Sequence, residues 1–116
     1  MGRLKPAVAM DKTPPPPEYR ALVERLHAAA PELVEKAMFG VPTVFAHGKP
    51  FVGSYGGGAL FKLDPAGVET ALELPGVELF DPSGKGRPMK AWVVVPLAEH
   101  QRWAELADAA LAFSSR

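Results

Sequence analysis

The residues whose types could support chemistry are three histidines, four serines, one carboxylate pair, two glycine-rich loops and a short run of cations. A zinc site needs several ligands converging at set spacings, such as His-x-x-x-His. His27, His47 and His100 show no such spacing. His27 and His100 fall on expected helix surfaces and His47 in an expected turn, so all three read as solvated side chains. A nucleophile needs a base beside it. Ser54, Ser83, Ser114 and Ser115 do not sit in Gly-x-Ser-x-Gly, and the last two fall in the C-terminal tail. Glu69 and Glu73 are one helical turn apart, which suits an exposed face better than an acid/base pair.

Two loops resemble phosphate cradles at first sight. In 53–58, Gly56 and Gly58 supply the first two glycines of a dinucleotide fingerprint, but Phe61 stands where the third belongs. In 83–87, Gly84-Lys85 is followed by Gly86 rather than Ser or Thr. Both fingerprints need a helix next, whose N-terminus favours the anion, and strands are expected instead. Hairpin turns account for both loops. No metal, cofactor or catalytic centre is expected, and the chain is expected not to be an enzyme.

The cations carry more. Lys85, Arg87 and Lys90 fall within six residues with no acid among them, and Lys49 and Lys62 are expected nearby on a sheet. About three phosphate contacts would give a log–log salt slope near −3, which is weak nucleic-acid binding. Met89 and Trp92 add apolar area beside them. Val93-Val94-Val95 are consecutive, so one valine must face away from the main core unless both sheet faces are covered. That strand is therefore a candidate surface for a protein partner or a homodimer.

These positions depend on the elements around them. Tyr19, Leu22, Val23, Leu26 and Ala30 recur at helical spacing and predict a helix over 18–30, stopped by Pro31. Alternation over 32–38 predicts a short strand. Three strands follow around His47-Gly48 and Gly56-Gly57-Gly58, making an antiparallel meander. Asp64 caps a short helix with Pro65 first, and Val68, Ala71 and Leu72 facing inward. Strands are predicted over 77–80 and 89–95. Pro96 opens a last helix whose buried stripe is Trp103, Leu106, Ala107, Ala110 and Leu111. The expected fold is α+β, two-layer, with order α-β(3-4)-α-β(2)-α and helices packed on an antiparallel sheet.

Bulk composition agrees with one domain. The chain has 116 residues, 47% hydrophobic, with 13 basic and 13 acidic residues and no cysteine. Balanced charge argues against a dedicated nucleic-acid binder, and the lack of cysteine removes disulfides and thiolate metal sites. Residues 1–17 hold five of the 13 prolines, including Pro14 to Pro17, and read as a stiff proline-rich extension to a domain spanning 18–116. The apolar run Ala91 to Pro96 is far below the ~20 residues a membrane span requires. Without an apolar stretch behind Arg3 and Lys5, a cytoplasmic location is expected.

The stretch 38–96 resembles the N-terminal domain of the TfoX/Sxy family. The matching features are Met38-Phe39-Gly40, Gly48-Lys49 with Phe51, Phe61-Lys62-Leu63, Leu79-Phe80-Asp81-Pro82, and Gly86-Arg87-Pro88-Met89-Lys90 leading into Trp92 to Pro96. With the flanking helices the likeness covers roughly residues 18 to 112. It implies an α+β fold with helices on an antiparallel sheet and a regulatory, non-enzymatic role. It implies no catalytic residues, and the expectation is a stand-alone domain without the C-terminal domain of the competence regulators in that family.

Overall fold

A computed structural model describes residues 13–38, 40–82, 86 and 88–116. The order is α1 (Pro17–Ala29), β1 (Val34–Met38), β2 (Val41–Ala46), β3 (Lys49–Tyr55), β4 (Gly58–Lys62), α2 (Pro65–Leu72), β5 (Glu78–Phe80), β6 (Met89–Val95), a 3-10 segment (Leu97–Arg102) and α3 (Trp103–Ser114). All six strands form one antiparallel sheet in the order β1-β2-β3-β4-β6-β5. The α+β expectation holds, and the meander and the valine-rich strand share that sheet.

Local chemistry explains most boundaries. Pro17 occupies the first turn of α1, where a missing N–H costs nothing. Asp64 caps α2, with its Oδ1 accepting the Gly67 N–H at 2.8 Å. His47 and Gly48 both take positive φ, 54° and 78°, which is the geometry of a two-residue hairpin turn.

Two cores result, one per sheet face. The larger packs Tyr19, Leu22, Val23 and Leu26 of α1, Val68 and Ala71 of α2, and Trp103, Ala107 and Ala110 of α3 against Val44, Val52, Phe61, Val93 and Val95 of the sheet. The smaller comprises Val41, Leu60, Phe80 and Trp92, edged by Met38, Tyr55, Met89 and Val94, and includes no helical residue among the described residues. Every strand contributes to it. A register shift at Val44/Phe45 leaves Phe51 as an extra residue in β3. Such a bulge re-aims side chains, and here Phe51 and Val52 are both fully buried in the larger core.

Three expectations need correction. Leu72 is 38% exposed rather than inward, because α2 ends there and Val68 and Ala71 already fill its buried face. The last helix begins as a 3-10 segment with no buried residue, and α-helix starts at Trp103. Its stripe is Trp103, Ala107, Ala110 and Ser114, with Leu106 and Leu111 only partly buried at its flanks.

β4 and β6 approach closely at Gly58. A Cβ there would lie 2.5 Å from the Val95 carbonyl oxygen and 3.3 Å from Pro96 Cα. Both are backbone atoms that cannot rotate away. Gly58→Ala is expected to lower unfolding free energy by about 2–3 kcal/mol in urea titration; a loss below about 0.5 kcal/mol contradicts this packing.

Tyr19 is fully buried, with its hydroxyl donating to the Pro42 carbonyl at a long 3.5 Å. Burial, and secondarily the Glu35 charge, push its ionisation far above the ordinary 10.0. Unfolding therefore releases this proton once the pH exceeds 10. The contribution is whole below that pH and is lost as pH rises, at up to about 1.4 kcal/mol per unit. Tyr19→Phe is expected to flatten the alkaline loss of stability measured by urea midpoints; unchanged pH dependence contradicts the assignment.

Candidate functional site

Ser54 is 1% exposed, under the helical layer, and its Oγ has no hydrogen-bond partner among the described residues. It is a core side chain rather than an accessible nucleophile. Gly56 and Gly57 turn one strand into the next, so no helix follows that loop. Ser83, Gly84, Lys85 and Arg87 lie outside the described residues. Gly86 does not, and its N–H donates to Asp81 Oδ2 at 2.9 Å. That amide is taken by a carboxylate and is not free for a phosphate.

The Gly56-Gly57 turn and Pro88 sit at opposite ends of β6. Tyr55 pairs with Gly58, and Ala59 with Val95, so the Gly56-Gly57 turn lies beyond the C-terminal end of β6. Pro88 directly precedes its first residue, Met89. The seven residues of β6 separate that turn from Pro88 by about 20 Å.

Among the described residues no group of three or more His, Asp or Glu side chains is placed to hold a metal. His47 and His100 are exposed. His27 is half-buried, with Nε2 3.0 Å from the Leu33 carbonyl oxygen. A carbonyl only accepts, so Nε2 carries the proton in that bond. The bond ties the end of α1 to the segment entering β1, which corrects the expectation of a solvated ring.

The basic and apolar candidates divide between faces. Lys62 lies directly opposite Trp92 in the β4–β6 register and shares its helix-free face. Lys90, exposed, lines a cleft beside α2 and α3 on the other side. Lys49 is exposed at the start of β3. Lys49, Lys62 and Lys90 thus stand at one end of the sheet, but Lys62 and Lys90 serve different faces. Trp92 is only 3% exposed and forms part of the smaller core's floor, while Met89 is half-buried at its edge. Val93 and Val95 enter the larger core and Val94 the smaller one. The expectation that one valine faces away is met.

The helix-free face is partly closed by its own side chains. Tyr55 of β3 and Phe80 of β5 are three strand spacings apart, about 14 Å across a flat sheet, yet their rings meet edge-on at 5.1 Å. Twist, curl and the lean of both rings bring them together. Leu60, Val41 and Phe80 are buried in the process, and Met38, Tyr55, Met89 and Val94 remain half-buried around them.

Charges border that face in one row. The registers align Lys36, Thr43, Gly53, Leu60, Val94 and Glu78 across all six strands. Lys36 and Glu78 are both exposed, at opposite edges, and neither has an ion-pair partner among the described residues. Lys36 is held over the Phe45 ring with Nζ 4.7 Å from its centroid. Sequence reasoning missed this row, since Lys36 and Glu78 align only through four intervening strands.

No helix among the described residues is long and apolar enough to cross a membrane. No family model matches the chain, and it matches no curated protein and no solved structure.

Proposed function

We propose that the chain is a non-enzymatic interaction and regulatory module that associates with a second copy of itself through the helix-free face of the sheet. One observation carries this: the apolar rim of Met38, Tyr55, Met89 and Val94 is bordered at opposite edges of a single row by one cation and one anion. A two-fold axis parallel to the strands lays β1 of one copy over β5 of the other. Lys36 then meets Glu78 twice, and the apolar rims meet between them. Such an isologous contact must be self-complementary, and this pattern is. The balanced formal charge adds no net repulsion between copies. The resemblance to the TfoX/Sxy N-terminal domain supports the regulatory part.

Sedimentation velocity from micromolar to millimolar concentration tests the proposal. A concentration-dependent dimer is expected. Val94→Lys, placing a charge in the rim, is expected to weaken it by tenfold or more, about 1.4 kcal/mol. Lys36→Glu is expected to weaken it and the double change Lys36→Glu with Glu78→Lys to restore it. A monomer at every concentration, or a dimer indifferent to both single changes, overturns the proposal.

A further inference from the structure

The helical side of the sheet carries a separate concavity. A cleft of about 550 Å³ opens between α2, the end of α3 and the β5–β6 edge. Volumes of roughly 300–1,000 Å³ are typical of small-molecule sites. Pro65, Val68 and Leu72 of α2, Leu79 of β5 and Phe113 of α3 line it, and Lys90 is the single charged residue there among the described residues. Leu72 is 38% exposed and Leu79 and Phe113 are half-buried, so the apolar lining is open to solvent.

Two features make this a built site rather than a surface dent. Arg116 donates to Asp64 Oδ2 at 3.1 Å and lies over the Phe113 ring at 5.2 Å. The end of α3 is thus linked to the start of α2 beside the cleft, with Phe113 under the Arg116 guanidinium. The second feature is the register shift between Leu79 and Phe80, which pair with Val93 and Met89 and leave 90–92 as extra residues in β6. Lys90 and Ala91, sequence neighbours, both line the cleft as a result. Lys90 has no ion-pair partner among the described residues.

We infer that this cleft binds a small aliphatic carboxylate, with the chain against α2 and Phe113 and the carboxylate at the Lys90 ammonium. One cation matches one negative charge. A phosphate is disfavoured, because the Gly67 N–H at the start of α2 already serves Asp64, whose own carboxylate would repel a dianion. The site is on the opposite side of the sheet from the proposed dimer contact, so the two stand or fall separately.

The test is a chain-length series of hexanoate, octanoate and decanoate, followed by amide chemical shifts in two-dimensional NMR at millimolar ligand. Shifts are expected at Leu79, Ala91 and Phe113, with Kd falling about two- to fourfold per added methylene. Lys90→Gln is expected to weaken decanoate about three- to fivefold while leaving decanol unchanged. Leu72→Glu is expected to abolish binding. Both positions are exposed, and circular dichroism checks the fold; should Leu72→Glu unfold, Leu72→Gln replaces it, with binding reduced rather than lost. No shifts with decanoate, an affinity independent of chain length, or an equal loss of decanol binding in Lys90→Gln overturns the inference.

Discussion

The pairing of β4 with β6 is the constraint from which the rest follows. The N-terminal meander ends at β4, and β6 arrives only after α2 and β5. Their register, Ala59 with Val95 through Lys62 with Trp92, makes one sheet of two sequence-distant groups. It requires the backbones to touch at Gly58, where no side chain fits. β4 is buried on both faces, with Ala59, Leu60 and Phe61 all fully inaccessible. That explains its unbroken apolar run, since a strand covered on both sides has no polar face to show.

From this pairing the two cores take their assignments. Phe61, Val93 and Val95 meet the helices, and Leu60, Trp92 and Val94 meet Phe80 and Val41 behind the sheet. Helices close the first core. The second closes on its own aromatic side chains and leaves a half-buried rim. The same strand, β6, then places Lys90 toward the α2–α3 cleft and Met89 toward the rim. Both proposed contacts depend on β6 lying between β4 and β5, because those neighbours supply the rest of each lining, Leu63 and Leu79 in the cleft and Leu60 and Phe80 behind the rim.

Much of this was legible in local sequence. The Asp64-Pro65 start, the His47-Gly48 turn and the stripe of α1 are short-range signals, and each appears where its chemistry predicts. Strand order was not legible, because pairing β6 between β4 and β5 is a long-range choice that local propensity does not encode. The bulge that buries both Phe51 and Val52 has no glycine to announce it. Period-two reasoning would send one of them to each face. Trp92 looked like exposed apolar area because the sequence does not reveal that Tyr55 and Phe80 fold across the same face. Leu72 looked internal from helical spacing, but α2 ends too soon to bury it. Lys62 and Lys90 serve different faces because the register shift at Leu79/Phe80 leaves extra residues in β6 and turns Lys90 away from the face that Lys62 and Trp92 share.

Native-state hydrogen exchange of the β4 and β6 amides tests the shared sheet most directly. If the two strand groups form one cooperative unit, Leu60, Phe61, Val93 and Val94 exchange only through global unfolding and share the highest protection in the chain. If β5–β6 opens at a markedly lower free energy while β2–β4 stays protected, the sheet is not one unit and the placement of both faces is contradicted.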